Sequence, residues 1–282
     1  MNRLTRQRDD QERRAIADWL TLIDHAPQQS DFISRRQEGT GRWLLDSNEF
    51  QGWLNSSAQT LFCPGIPGAG KTIIMSIIIE HLWKRFQNDT NTGIAFLYCN
   101  FRREHEQRPV DLLTSLLKQL VQEQSLVPKI VRSLYESHKD KRTRPSLDEI
   151  LKVLHSVVTG YSRTFILVDA LDEYQGSDGG RKKFLTEIFD LQAKTGASLF
   201  TTSRFIPEIL KEFEGRSIWL EIRARNEDVA RYLDGHISRL PSCVSRSYGL
   251  QQRIKTEVIK AVDGMYVSFS FHSNKLSQLS FP

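Results

Sequence analysis

One ten-residue stretch constrains the fold of this chain more than any other. Residues 63–72 read CPGIPGAGKT and match the pattern G-x-x-x-x-G-K-[ST] without a gap. A short apolar run at residues 60–63 precedes the loop, and a helical pattern over residues 71–87 follows it. In this strand–loop–helix setting, backbone N–H groups of the loop and the helix N-terminus form a nest for phosphate. The pattern therefore predicts a site for a nucleoside triphosphate.

Each part of this loop has an expected role. The glycines let the backbone bend and come close to the phosphates. Lys71 reaches the β- and γ-phosphates as a point charge, and Thr72 offers its hydroxyl to Mg²⁺. The predicted phosphate-binding residues are Gly65, Gly68, Ala69, Gly70, Lys71 and Thr72. The alternative is a glycine-rich turn that matches by chance, and the strand and helix patterns around the loop disfavour it.

An acidic turn follows another apolar strand pattern, about a hundred residues further along. Residues 165–173 read FILVDALDE. Asp169 falls at the carboxyl end of the strand, where an aspartate can hold Mg²⁺ beside a bound triphosphate. Glu173 is placed to orient or activate the attacking water, and Asp172 to assist the metal shell. The alternative is a solvated acidic turn after a core strand.

An arginine ends the next strand pattern. Residues 197–202 read ASLFTT and predict a strand, and Arg204 follows it in the run TTSR. Because a guanidinium suits phosphate oxygens, Arg204 is a candidate for binding the γ-phosphate. The alternative is a surface arginine that pairs with Glu208 or Glu212.

Five weaker candidates remain. Trp43, Phe50 and Trp53 can stack on a nucleobase, although core packing is the commoner role of such residues. Arg102 and Arg103 follow a strand pattern and can act on the nucleotide of a neighbouring subunit. An exposed basic turn is the commoner role for such a pair.

The order of the predicted elements favours a parallel sheet. Strand patterns alternate with helical patterns, and residues 164–169 (TFILVD) are apolar throughout, as in a strand covered on both faces. We therefore predict an α/β fold with a doubly wound, mostly parallel sheet. The other predicted strands are 60–63, 93–100, 197–202 and 217–222. Helices are predicted before the sheet at 9–23, ended by Pro27, and after it at 226–240 and 250–262.

Composition limits the class of protein. Lys and Arg number 39 against 34 Asp and Glu, a net charge of +5, and the two signs are interleaved, so we expect no nucleic-acid partner. The cysteines, Cys63, Cys99 and Cys243, have no zinc spacing and favour a reducing compartment. Residues 3–14 are too charged for a signal peptide, and the apolar run 73–79 is too short to span a bilayer. We expect a cytoplasmic protein without a membrane partner.

Three motifs together resemble a NACHT domain, a branch of the signal-transducing P-loop ATPases called STAND. They are the phosphate loop, the acidic turn DALDE at residues 169–173, and TTSR at residues 201–204. The stretches that carry the resemblance are RWLLDSNEFQGWL, LFCPGIPGAGKT, YCNFRR, FILVDALDEY and FTTSR. They are similar to fungal NACHT proteins with ankyrin repeats, which are NOD-like receptors of the heterokaryon-incompatibility kind, also described as nephrocystin-type NACHT.

The resemblance implies a fold and a nucleotide cycle. The resting state is expected to hold ADP, and the signalling state to hold ATP with Mg²⁺ and to self-associate. The sheet is expected to be of the additional-strand type, with the strand before Arg204 between the strands of the phosphate loop and of Asp169. The implied site roles fall on Lys71 and Thr72 (phosphate and Mg²⁺), Asp169 (Mg²⁺), Asp172 and Glu173 (hydrolysis) and Arg204 (sensor arginine).

The resemblance also divides the chain. We expect an N-terminal helical extension (1–30), a NACHT P-loop NTPase domain (31–222), a helical extension leading to a partial winged-helix region (223–265) and an atypical tail (266–282). Effector domains and ankyrin, tetratricopeptide or WD repeats are usual in the family, and neither pattern is present in this sequence. In the tail, residues 267–271 alternate like a short strand. We favour instead an out-of-frame or intron-derived sequence from a truncated gene.

Three functions stay open. The first is a slow ATPase that acts as a conformational and oligomerisation switch in innate-immunity or incompatibility-type signalling. The second is a general P-loop ATPase, such as a kinase or a DNA-stimulated enzyme, although no second substrate pocket or basic lid is evident. The third is a truncated remnant that binds nucleotide without signalling, which the tail favours.

Overall fold

The computed structural model describes residues 3–124, 126–174, 179–236, 244 and 246–262. Within these ranges, five parallel strands form one sheet. The strands are β1 (Thr60–Pro64), β2 (Thr92–Tyr98), β3 (Arg163–Asp169), β4 (Ser198–Ser203) and β5 (Ile218–Trp219).

Helices precede, connect and follow the strands. Those up to the middle of the chain are α1 (Arg3–Leu20), α2 (Ala26–Ser34), α3 (Arg42–Leu45), α4 (Asn48–Asn55), α5 (Lys71–Phe86), α6 (Pro109–Glu123) and α7 (Lys129–Lys139). Those that follow are α8 (Leu147–Thr159), α9 (Gly180–Thr195), α10 (Pro207–Phe213), α11 (Asn226–His236) and α12 (Tyr248–Val262). Short 3₁₀ segments lie at Phe101–Glu106 and Leu171–Glu173.

The sheet is buried on both faces, as the apolar strand patterns predict. Ile166 and Val168 of β3 belong to one hydrophobic core, with residues of α6, α8 and α9. Phe165 and Leu167, which alternate with them, belong to a second core with α4 and α5. Because successive strand residues point to opposite faces, a strand between two helical layers must be apolar at every position. The predicted doubly wound α/β fold is confirmed.

The strand order is β2-β3-β4-β1-β5. β4 pairs with β1 on one side, with Thr60 opposite Leu199, and with β3 on the other, with Val168 opposite Thr201. The additional-strand arrangement expected from the resemblance is therefore confirmed. It places the carboxyl ends of β1, β4 and β3 side by side at one edge of the sheet.

Two element predictions need correction. The first helix ends at Leu20, and Pro27 lies in the first turn of α2 instead of ending the helix before it. Proline suits that position because a first-turn N–H has no partner within its own helix. β5 has only two residues, against the six predicted. The chain nevertheless runs on beside β1, since the N–H groups of Leu220 and Ile222 donate to the carbonyls of Phe62 and Pro64.

Side chains of α6 cover the outer edge of β2. The Phe96 N–H donates to Gln119 Oε1 at 2.9 Å, and Gln119 Nε2 donates back to the Phe96 carbonyl at 2.8 Å. The Ile94 N–H donates to Glu123 Oε2 at 3.1 Å, and burial raises the pKa of Glu123 to about 7. An edge strand with unpaired backbone groups can pair with another chain. The side chains of Gln119 and Glu123 form hydrogen bonds with such backbone groups of β2.

Some predictions fall outside the described residues or stay untested. The expected end of the helix at 237–240 and the tail at 266–282 lie outside them. The expected boundary between residues 30 and 31 stays a prediction, and α2 runs across it. Among the described helices, none is both long and apolar enough to cross a bilayer.

Candidate functional site

The phosphate loop, here the segment between β1 and α5, follows a path that needs glycine. Gly68 and Gly70 have φ values of 74° and 86°, in the left-handed region that favours glycine. The Gly65 N–H donates to the Ser203 carbonyl at 3.0 Å. A Cβ on Gly65 would lie 2.5 Å from the carbonyl oxygen of Ile222, so the close approach of the two backbones excludes a side chain there.

Lys71 is the first residue of α5, and its side chain folds over the loop. Its ammonium donates to the carbonyls of Gly65 at 2.8 Å and Ile66 at 2.9 Å. Because an ammonium has three N–H donors, one remains for a phosphate oxygen. Burial lowers the pKa of Lys71, and the nearby carboxylates of Asp172 and Asp169 oppose that effect.

Asp169 lies at the end of β3 between two threonines. Thr72 Oγ1 donates to Asp169 Oδ2 at 2.8 Å, and Thr202 Oγ1 donates to Oδ1 at 2.6 Å. Thr202 Oγ1 also accepts the N–H of Ala170 at 2.9 Å. Asp169 is only 2% exposed. Burial raises the pKa of Asp169 to about 6, against the lowering effect of both threonine hydrogen bonds and of Lys71.

The oxygens of Thr72 and Asp169 fit a magnesium ion. They lie 2.8 Å apart beside the phosphate loop. Mg²⁺ takes one or two protein oxygens and fills its remaining positions with phosphate oxygens and water. Among the described residues, no group of three or more His, Cys, Asp or Glu side chains could hold a metal ion.

Arg204 follows β4 and contacts the acidic turn after β3. Its Nε lies 2.9 Å from Asp172 Oδ2, and its backbone N–H donates to Asp172 Oδ1 at 2.9 Å. Its Nη2 lies 3.8 Å from Glu173 Oε1. The sequence also allowed Arg204 to pair with Glu208 or Glu212. In the described structure, its acidic contacts are Asp172 and Glu173 instead.

A cleft of about 460 Å³ brings most of these residues together. It is lined by Pro67, Gly68 and Gly70 of the phosphate loop, by Lys71 and Thr72, and by Asp172, Glu173 and Arg204. Two further parts of the chain line it that the sequence did not suggest: Tyr232 of α11, and five residues of the segment 35–41 after α2, which are Arg35, Arg36, Gln37, Thr40 and Gly41. The cleft therefore draws on parts of the chain before, within and after the sheet.

The segment 35–41 and α11 are tied to each other. The N–H of Gly41 donates to Asp228 Oδ2 at 2.8 Å, and Arg231 lies 3.2 Å from the same carboxylate. Arg231 also donates to the Gly39 carbonyl at 3.4 Å. Asp228 is 2% exposed, so this buried carboxylate joins the C-terminal helices to the mouth of the cleft. No sequence motif marks this contact.

The weaker aromatic candidates lie away from the cleft. Phe50 and Trp53 are fully buried in the core beside α5, and the Trp53 indole N–H donates to the Leu199 carbonyl at 2.9 Å. Trp43 packs under the Arg225 guanidinium, 4.7 Å from its ring centre. Their positions agree with core packing rather than with stacking on a base.

The cleft lining also leaves out five other candidates: Gly65, Ala69, Arg102, Arg103 and Asp169, the last of which is bonded to the lining residue Thr72. Arg102 and Arg103 lie in the 3₁₀ segment after β2, where Arg103 is 3.8 Å from Glu106. The Ala69 side chain is buried in the core beside α5, so this residue offers the loop only its backbone. By contrast, Thr202 was not predicted to be a site residue, although it lies in TTSR. In the structure, its hydroxyl donates a hydrogen bond to Asp169.

Comparison with protein families decides what kind of module this is. The family described as Nephrocystin 3, N-terminal matches residues 39–204, more than half of the chain. The chain belongs to this family. The match begins in the segment that lines the cleft and ends at Arg204, so it spans the phosphate loop and Asp169. This is a nephrocystin-type NACHT module with the P-loop NTPase fold, and that fold implies a bound nucleotide.

Solved structures with a similar fold share little sequence. A Walker-type ATPase of Pyrococcus abyssi has a TM-score of 0.50 at 13% identity, covering 82% of this chain and 66% of that one. Cdc6p from Pyrobaculum aerophilum has a TM-score of 0.46 at 14% identity, covering 83% of this chain and 58% of its own. A DNA replication initiation factor has a TM-score of 0.44 at 14% identity, with 87% and 62% covered.

These likenesses concern the fold alone, and the first of them supports the P-loop ATPase architecture. The chain spans less than two thirds of the length of each of these three structures. Comparison with curated protein sequences found no match.

Proposed function

We propose that this NACHT module binds ADP and ATP with Mg²⁺ and acts as a nucleotide-dependent conformational and oligomerisation switch in innate-immunity or incompatibility-type signalling. The observation that carries the proposal is the 2.8 Å contact between Thr72 and Asp169, since Thr72 lines the same cleft as Lys71, Glu173 and Arg204. This contact supports a metal position beside groups suited to bind phosphate and to activate water.

Each of these side chains has one task at a bound triphosphate. Lys71 and the loop N–H groups bind the phosphates, and Thr72 and Asp169 hold Mg²⁺, which neutralises charge on the phosphate oxygens. Glu173 orients the attacking water and accepts its proton. Arg204 binds the γ-phosphate through its guanidinium. We expect slow hydrolysis, because the useful product of a switch is a conformation.

A switch also needs the two nucleotides to favour different conformations. The γ-phosphate distinguishes ATP from ADP, and Glu173 and Arg204 are the groups placed to sense it. Residues of the segment 35–41 and Tyr232 of α11 also line the cleft. Because Asp228 of α11 is bonded to Gly41, a change at the cleft can reach the C-terminal helices. Self-association of the ATP-bound form is the expected output.

The first experiment identifies the nucleotide that the protein carries. The purified chain is denatured and the released nucleotide is identified by chromatography, with Lys71→Ala and Lys84→Ala in parallel. Lys84 is an exposed lysine in the same helix, paired with Glu80, and serves as the matched control. Stoichiometric ADP in the wild type and Lys84→Ala, but not in Lys71→Ala, supports a closed switch-like site. An empty wild-type protein counts against it.

The second experiment separates the open alternatives. The molar mass of the protein is measured by light scattering in ADP and in ATP, and turnover is measured with and without duplex DNA. A larger mass in ATP supports the switch. Binding without any change in mass supports a remnant, and DNA-stimulated turnover that falls with salt supports a DNA-dependent ATPase.

A further inference from the structure

The two acids of the turn after β3 are in different situations. The Asp172 side chain is 6% exposed, and both of its oxygens are used by one residue. Oδ1 accepts the backbone N–H of Arg204 at 2.9 Å, and Oδ2 lies 2.9 Å from Arg204 Nε. A carboxylate bound in this way by backbone and side chain of the same residue holds that residue in one conformation.

Glu173 is held much less tightly. Its side chain is 29% exposed, and its distance to Arg204 Nη2 is 3.8 Å, longer than a hydrogen bond. Glu173 is also among the residues that line the cleft. Both acids line the cleft, but Asp172 contacts Arg204 through both of its oxygens, whereas Glu173 has no oxygen within hydrogen-bond distance of the Arg204 guanidinium.

The contact leaves part of the arginine for a ligand. A guanidinium has five N–H donors, and the contact with Asp172 uses the one on Nε. The four donors on Nη1 and Nη2 belong to a side chain that is 48% exposed and lines the same cleft as Lys71. Such a fork suits the oxygens of a terminal phosphate.

We propose that Asp172 is a positioning residue, which fixes Arg204 so that its Nη groups meet the terminal phosphate of ATP, while Glu173 alone serves the attacking water. This inference rests on the proposed function, because it requires nucleotide in the cleft. It replaces the expected role of Asp172 in the metal shell. The strand order makes the contact possible, since β3 and β4 are neighbours and both residues follow the carboxyl ends of these strands.

A positioning role of Asp172 can be distinguished from a metal-binding or catalytic role by comparing how its loss affects the binding of ATP and of ADP. If Asp172 acts through Arg204, its loss weakens binding of ATP and leaves binding of ADP unchanged, and it does so without Mg²⁺. If it acts on the metal or the water, its loss changes Mg²⁺ dependence or turnover and leaves the metal-free ratio of ATP to ADP affinity unchanged.

The experiment measures the dissociation constants of ATP and ADP by calorimetry in EDTA on the full chain. The variants are Asp172→Asn, Arg204→Gln and the double variant, with Glu208→Gln as a control that removes a nearby exposed negative charge. We expect Asp172→Asn and Arg204→Gln each to lower the ATP-to-ADP affinity ratio about tenfold, as loss of a charged hydrogen bond does. The double variant should equal Arg204→Gln, and Glu208→Gln should equal the wild type.

Several results would overturn the inference. They are a wild-type ratio in Asp172→Asn, equal loss of ADP and ATP binding in it, and effects that multiply in the double variant. If Asp172→Asn is unfolded by circular dichroism, Arg204→Lys decides: it keeps the charge but loses the fork, so an unchanged ratio contradicts the role. A wild-type protein that binds neither nucleotide overturns the proposed function as well, whereas normal binding with an unchanged ratio overturns only this inference.

Discussion

Thr72 and Asp169 are 97 residues apart in sequence, and the hydroxyl of one donates to the carboxylate of the other at 2.8 Å. The contact joins the first turn of α5 to the end of β3. It places a hydroxyl and a carboxylate oxygen beside the phosphate loop. It also buries a carboxylate, and that burial has consequences for stability.

Asp169→Asn is expected to stabilise the nucleotide-free protein while abolishing Mg²⁺-dependent binding. Burial raises the pKa of Asp169 to about 6, above the value of about 4 in an unfolded chain. The folded state therefore binds this proton more tightly, so the contribution of Asp169 to stability is fully present below pH 4 and is lost as the pH rises through 6.

The measurement is urea unfolding of the wild type and Asp169→Asn between pH 4 and 8, without Mg²⁺ or nucleotide. The difference in unfolding free energy should be small near pH 4 and grow to about 3 kcal/mol in favour of the variant above pH 7. A difference that does not change with pH would show that the buried carboxylate carries no such penalty.

Two neighbouring threonines of β4 should respond differently to the same substitution. Thr202→Val removes a donor to Asp169 and an acceptor for the Ala170 N–H, and should cost about 1–3 kcal/mol of stability and weaken Mg²⁺-dependent nucleotide binding. Thr201 is equally buried, but its hydroxyl has no hydrogen-bond partner in the described structure. Thr201→Val should be neutral or stabilising.

Thermal unfolding and nucleotide titration of both valine variants check this prediction. Because both changes keep the side-chain shape, strand propensity does not distinguish them. Equal losses in the two variants would mean that the Thr202 hydroxyl does not support Asp169.

Gln119→Leu should expose the edge of β2. The Gln119 amide both donates to and accepts from the backbone of Phe96, so its loss leaves two backbone groups unpaired, at a cost of roughly 2 kcal/mol or more. The freed edge should also favour association between chains. Gln122→Leu, on the exposed side of the same helix, is the matched control.

Chemical unfolding and light scattering during mild heating measure the two effects. Gln119→Leu should unfold at lower denaturant and scatter earlier than Gln122→Leu. If both variants scatter alike, the added surface leucine and not the open strand edge causes the association.

Asp228→Ala should loosen α11 from the cleft. It removes the acceptor of the Gly41 N–H and the carboxylate partner of Arg231. Hydrogen exchange in α11 and in residues 35–41 should become faster, and bound nucleotide should be released faster, because Tyr232 of α11 lines the cleft. Glu227→Ala, at the exposed neighbouring position, should leave both rates unchanged.

Exchange measured by mass spectrometry and nucleotide release measured by stopped flow provide the two rates. Faster exchange with unchanged release would mean that α11 does not retain the nucleotide.

The local features of this protein were predictable from the sequence because they depend on contiguous residues. A strand, a glycine-rich turn and a helix N-terminus follow one another within residues 60–72, and this order of residue types is what predicts a phosphate-binding loop. Continuous apolar runs likewise predicted a sheet covered on both faces. The ends of elements were less well predicted: Pro27 begins a helix instead of ending one, and β5 is shorter than its apolar run.

Contacts between residues far apart in the chain could not be predicted from the sequence. Nothing in TTSR distinguishes Thr202 from Thr201, and nothing in DALDE assigns Asp172 to Arg204. These contacts exist because β4 lies between β1 and β3, which brings three strand ends to one edge. The contiguous pattern was enough to predict which residues would bind a phosphate. Which side chains hold those residues in place depends on the packed fold, because hydrogen bonds between neighbouring strands and helices require their positions in space.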